Sequence, residues 1–210
     1  MWMSDEVEDY VVNVLDRNEL EKVRASIMQT LGKIDSLINA VGGNLPGAVI
    51  PDHKTIFDLS ETDFDEVFEM NLKGTILPSI VFGEIIAKQG KGSIVNYSSM
   101  TVDRVMTRVV GYSSAKAAME NFTRWMAVEM ALKFGDGIRV NAIAPGFFRT
   151  NLTESLFQNP EKLKELANKT MMGRNGEEKD IFGISVFLCS DANSYVTGQT
   201  VFLDGGFSAA

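Results

Sequence analysis

At 210 residues the chain has the length of one domain or a tight pair of lobes, taking roughly 150 residues per domain. Its 20 basic and 28 acidic side chains leave a net charge of −8, which argues against nucleic acid as a main partner, because binding to a phosphate backbone rests on clustered Lys and Arg. The 45% hydrophobic and 23% charged content is that of a core-forming chain rather than a disordered one, and a chain this long buries a core without metals or disulfides.

The first residues, Met1 to Asp9, are acidic and contain no apolar core of the kind an export signal needs. The longest apolar runs are broken by Gly83 and Glu84, so no membrane span is expected. The single cysteine, Cys189, has no internal partner, and a cytoplasmic location follows as the default expectation. Short apolar runs bounded by turn residues predict strands at Tyr10 to Leu15, Ile34 to Asn39, Ser93 to Tyr97, Ile138 to Ile143 and Thr200 to Leu203. Between them, Asp16 and Glu19 predict a capping box that opens a helix stopped by Gly32. A second helical pattern runs from Thr62-Asp63 to about Ala87 with a kink at Pro78, a third from Gly111 to Leu132, and a fourth from Glu178 to Cys189. Strands alternating with helices predict an α/β domain with a parallel sheet, whose ligands sit at the carboxyl ends of the strands.

Those strand ends carry the candidate chemistry. Asn39-Ala40-Val41-Gly42-Gly43-Asn44 is either an ordinary glycine turn or a place where the backbone approaches a ligand closely. Asn96-Tyr97-Ser98-Ser99 ends the third strand, and the helix after it carries Tyr112 and Lys116, four apart and so on one face. A lysine beside a phenol favours the phenolate, and a tyrosine tuned in this way exchanges a proton with an alcohol or carbonyl, with a serine hydroxyl holding the substrate oxygen. Taken alone, the same spacing also describes a surface Tyr–Lys pair. Pro145-Gly146 forces a turn, which either ends the strand or makes a rigid wall presenting backbone groups and Thr150 to a ligand. His53 is the only histidine, which removes a histidine triad or a multi-histidine metal site, and no metal is expected. Cys189, Met126 and Met130 read as packing.

From about Tyr10 to Ala210 the chain resembles the short-chain dehydrogenase/reductase family. Tyr112 and Lys116 match its Tyr-x-x-x-Lys, and Ser99, thirteen residues before the tyrosine, matches the catalytic serine. Asn71, in Met70-Asn71-Leu72-Lys73-Gly74, matches the helix asparagine that completes a tetrad. Pro145-Gly146, Phe148 and Thr150 fall in the motif that holds the nicotinamide carboxamide, and Thr197-Gly198-Gln199-Thr200 with Asp204-Gly205-Gly206 matches the C-terminal strand segment. The resemblance implies an NAD(P)-dependent oxidoreductase interconverting a secondary alcohol and a ketone. In that mechanism Tyr112 moves the proton, Lys116 lowers the tyrosine pKa and holds the nicotinamide ribose, Ser99 polarises the substrate oxygen, and Asn71 anchors a water. It also implies cofactor contacts at Asn13, Asn39, Gly42, Tyr112 and Lys116, and a homo-oligomer, dimer or tetramer, paired through the helices of Asp63 to Ala87 and Gly111 to Leu132.

The chain departs from the family pattern at its start, where neither G-x-G-x-x-G nor G-x-x-x-G-x-G precedes Asn39. The expected fold is therefore a Rossmann-like parallel sheet with crossover helices that lacks the first βαβ unit with its glycine-rich loop, in a single domain over 1–210. Tyr10 to Leu15 corresponds to the family's third strand, with Asn13 where an adenine-contacting Asp stands, and would either dock beside Ile34 to Asn39 or be poorly held. One sheet face is expected to lose covering helices. The residue that selects NAD over NADP is absent from the sequence. The alternative to an active oxidoreductase is a weak or inactive family remnant serving as an oligomer subunit, or an incomplete reading frame. Gly42-Gly43-Asn44-Leu45-Pro46 and the connection to Asp63 resemble members acting on sugar acids such as mannonate or fructuronate. Asn151 to about Met172 would form a substrate lid, in which Lys162, Lys164 and Lys169 either attract a carboxylate or form a solvated helix face.

Overall fold

The computed structural model describes residues 8–150 and 152–209. Four strands, β1 (Ser36–Asn39), β2 (Gly92–Tyr97), β3 (Ile138–Pro145) and β4 (Thr200–Leu203), form one all-parallel sheet in the order β1-β2-β3-β4. Pairing places Leu37 beside Ile94 and Ile38 beside Val95, so neighbouring side chains alternate between the two faces. Parallel neighbours require crossover connections, and the helices supply them: α2 (Glu61–Phe68) and α3 (Gly74–Gln89) lie between β1 and β2, and α4 (Val110–Phe134) between β2 and β3. The short α5 (Glu154–Phe157), α6 (Pro160–Asn168) and α7 (Glu178–Cys189) lie between β3 and β4.

One face of the sheet packs on α3 and α4, where Ile86, Ile94, Met126, Met130 and Val140 form a buried cluster. The other face meets α7 through Val95, Ile143 and Leu188, with Cys189 at the margin. This second cover is the thin one, as expected: Ile38 on the edge strand remains 46% exposed.

Helix α1 (Arg17–Leu31) begins and ends as its sequence dictates, with Asp16 accepting from the amides of Asn18 and Glu19 and Gly32 closing it at φ +72°. The capping box is only half made, because Glu19 turns back to the amide of Asn13 instead of that of Asp16. The irregularity expected at Pro78 takes a different form. Pro78 is accommodated inside α3, and the break is a π-turn, Glu69–Lys73, between α2 and α3.

Tyr10 to Leu15 is not a strand. Asn13 and Asp16 close a turn, and Val12 and Val14 pack against Leu20, Val81 and Phe82 on α1 and α3, while Val11 is fully exposed. Burial of alternate side chains is available there, but a ladder partner is not, since β1 pairs only with β2.

Candidate functional site

The carboxyl ends of β1 and β2 bring the predicted residues together. Beyond β2 the chain stays tied to β3 by the Ser98 amide, which donates to the Ile143 carbonyl at 2.7 Å. The two adjacent serines then separate in role. Ser98 donates its hydroxyl to buried Glu120 at 2.5 Å, whereas Ser99 caps the short turn Met100–Val102 and accepts from the amide and hydroxyl of Thr101. Ser99 also acts on Tyr112, in the first turn of α4, lowering its phenol.

One turn further along α4, Lys116 is 3% exposed. Its Nζ donates to the Tyr97 carbonyl at 2.8 Å and lies 5.6 Å from the centroid of the Tyr112 ring. Burial pushes the Lys116 ammonium down to about 8. The Tyr112 phenol moves opposite to the sequence expectation: burial raises it, with nearby Ser99 working the other way. Desolvation of the phenol outweighs the help of the lysine above its ring.

Asn71 is fully buried in the π-turn. A π-turn shifts amide bonding by one residue, and the side-chain Nδ2 of Asn71 takes up the Val67 carbonyl at 2.7 Å while also donating to Gly43 O at 2.8 Å. Its Oδ1 accepts from the Gly43 amide at 3.2 Å. Gly42 lies against this group: a Cβ there would stand 2.4 Å from Asn71 Oδ1 and 3.1 Å from Lys116 Nζ, at φ +152°. The bare Cα is what lets the β1 loop, the π-turn and α4 converge.

The remaining predicted residues are placed elsewhere or turned away. Asn39 is buried with Nδ2 donating to Ser79 and Asn96, and Asn96 in turn donates to Thr123; this side chain ties β1 to α3 and β2 and does not face the site. Asn13 is exposed, with Oδ1 accepting from the Leu15 amide. Pro145 and Gly146 turn against the end of β4, the Gly146 amide donating to Leu203 O at 2.9 Å. Phe148 is buried against Gly176, beside a cleft of about 280 Å³ lined also by Phe147, Arg174 and Asp204. Thr150 is exposed and shares hydrogen bonds with Thr153. Of the three lid lysines, Lys162 and Lys169 both pair with Glu165 on α6, so the solvated-face reading holds for them. Glu120 was missed by sequence reasoning. Its signal was a glutamate one turn beyond Lys116 on an otherwise apolar helix face.

Among the described residues, no helix is long and apolar enough to cross a membrane, and no group of three or more His, Cys, Asp or Glu stands together.

Comparison with known proteins places this geometry in context. A family model described as enoyl-(acyl carrier protein) reductase matches residues 3–208. An uncharacterized oxidoreductase, UxuB of Bacillus subtilis, is 40% identical over 211 residues, which span 94% of this chain and 75% of that protein. A crystal structure named as a candidate D-mannonate oxidoreductase from Haemophilus influenza, with bound NAD, is 36% identical with a TM-score of 0.83, over 95% of this chain and 76% of the other. A gluconate 5-dehydrogenase from Burkholderia cenocepacia, in complex with NADP and tartrate, is 26% identical with a TM-score of 0.84, over 95% of this chain and 74% of the other.

Proposed function

Because the chain belongs to the short-chain dehydrogenase/reductase family, we propose that it interconverts a secondary alcohol and a ketone on a sugar acid. NAD or NADP is the hydride partner, and Asn71, Ser99, Tyr112 and Lys116 are the catalytic residues. The observation that carries the reading is the buried Lys116 over the Tyr112 ring, with Ser99 near enough to that tyrosine to lower its phenol. The sugar-acid choice is supported by the relatives named for mannonate and gluconate.

The residues present fit the nicotinamide-ribose end of such a cofactor. Lys116, beside Gly42, has ammonium donors beyond the one given to Tyr97 and could hold the ribose hydroxyls. Pro145, Gly146, Phe148 and Thr150 form the proposed wall for the carboxamide. Asn13 and Asn39 have their side chains engaged elsewhere, so contacts from them would come through the backbone. The bound nucleotide supplies or accepts the hydride.

The protein's own part is proton transfer and placement. Tyr112, with its phenol held above the ordinary range, keeps its proton at neutral pH and donates it to a substrate carbonyl oxygen that Ser99 also holds. Oxidation uses the same groups in reverse and draws on the rarer phenolate. Lys116 orients the site between Tyr97 and the ring, and Asn71 fixes the Gly42-Gly43 backbone opposite it.

A single cytoplasmic domain assembling as a homo-oligomer, dimer or tetramer, completes the proposal. Trp125, Val128 and Leu132 lie at i, i+3 and i+7 on α4 and are 60%, 59% and 79% exposed, a stripe suited to a second copy. That stripe equally favours a second reading, a family remnant retained as an oligomer subunit, which would assemble without turnover. The deciding experiment is turnover of aldonates and uronates with NAD and with NADP, beside calorimetry of each nucleotide. Activity that falls by about a hundredfold or more in Tyr112→Phe, at unchanged circular dichroism, is expected. Absence of both turnover and nucleotide heat would overturn the oxidoreductase reading.

A further inference from the structure

The chain has eight arginines, and among the described residues five pair with a carboxylate while Arg139 donates to the Leu188 carbonyl. The two left over, Arg104 and Arg108, have no carboxylate or hydrogen-bond acceptor for their guanidinium groups among the described residues, and both lie in the loop that leads from Ser99 to Tyr112. In a chain of net charge −8, unpaired arginines confined to that loop call for an account.

The loop is held in place. Met106, between the two arginines, packs with Met100, Phe147 and Leu166. The Arg108 carbonyl accepts from the Ile50 amide at 2.9 Å, and the Arg104 amide donates to Met100 O at 3.0 Å. The segment is therefore pinned between the connection after β1 and the buried cluster beside α6. Its two ends carry Ser99, which caps the turn Met100–Val102, and Tyr112, in the first turn of α4.

Arg108 also has φ +81°, the only positive φ of a non-glycine residue among those described. A side chain with a Cβ disfavours that region, and such outliers persist where the surroundings over-determine them and cluster at functional sites. The strained residue is exposed, unpaired and four positions before the proton-transferring tyrosine.

We propose that Arg108, with Arg104 beside it in the same loop, binds the carboxylate of the substrate and makes the site select a hydroxy acid over an uncharged polyol. The guanidinium's planar fork matches a carboxylate in a bidentate pair, which fixes orientation as well as charge. The inference deepens the sugar-acid reading and rests on it for the placement of the reacting carbon. It assigns acid selectivity to this loop instead of the lid lysines, two of which are already paired.

The test compares D-gluconate with sorbitol. Arg108→Asn is the variant of choice, because asparagine tolerates positive φ and leaves the loop unstrained. The ratio of kcat/KM for acid to that for polyol is expected to fall about tenfold, mainly through KM for the acid, with partial recovery in Arg108→Lys. Arg104→Gln should lower the ratio less, and Lys164→Gln should not move it. Added salt should raise KM for the acid more than for the polyol. An unchanged ratio in Arg108→Asn, or a fall caused by Lys164→Gln instead, overturns the assignment. If the unaltered chain turns over neither compound, the oxidoreductase reading is decided separately, by the wider panel and nucleotide calorimetry. The subsite is then decided by calorimetry: heat with D-gluconate but not sorbitol, lost in Arg108→Asn, upholds it, and no heat, or heat unchanged in the variant, sinks it.

Discussion

Replacing Lys116 with methionine should make the protein more stable at neutral pH while disabling the proposed site. Lys116 is 3% exposed and its ammonium is held down at about 8, against 10.5 for a free lysine, with burial as the cause. The unfolded chain therefore binds more protons than the folded one between those values, and stability rises with pH through that window. At about pH 7 the folded protein carries a buried charge whose penalty is roughly 3 kcal/mol, and most of it is relieved by about pH 10. Methionine fills similar space with no charge. The Tyr97 carbonyl loses its Nζ donor, which costs about 1 kcal/mol. The net expectation is a gain of about 2 kcal/mol near pH 7 that disappears as pH rises. Urea unfolding of both proteins at a series of pH values measures it, and the difference curve cancels other titrating groups. A difference that stays flat within about 0.5 kcal/mol, or widens with pH, refutes the assignment of the buried charge to this lysine.

Two further outcomes follow from the site's geometry. Ser98→Ala should destabilise the fold by about 1–3 kcal/mol, because it strips buried Glu120 of its hydroxyl donor, whereas Ser99→Ala should lower kcat with little loss of stability; thermal melts and steady-state kinetics on the pair check this, and the reverse pattern would exchange the two roles. Gly42→Ala places a methyl 2.4 Å from Asn71 Oδ1 at an unfavourable φ, so a loss of roughly 1–3 kcal/mol in urea unfolding is expected, and a neutral result would mean that the β1 loop and the π-turn do not approach as closely as described.

Much of this architecture was legible residue by residue. β4 and α7 begin and end where turn and cap residues place them, and α1 is bounded by Asp16 and Gly32 as read. Tyr10 to Leu15 shows the limit of that reading. Its apolar alternation is genuine, and Val12 and Val14 are partly buried by it. A strand, however, requires a hydrogen-bonding neighbour, which is a property of the sheet and not of the segment. The same distinction separates Asn39 from Asn71: both are asparagines in matching motifs, yet one is consumed in a buried network and the other braces the glycine loop.

The sequence by itself determined the motifs that mark the family, the alternation of strand and helix, and the placing of Tyr112 and Lys116 on one helical face. Tertiary structure alone decided the direction in which those groups titrate. A lysine four residues from a tyrosine is expected to assist its ionisation, but burial acts on both side chains, lowering the ammonium and raising the phenol. Desolvation depends on everything packed around a group, and spacing along one helix carries no record of it.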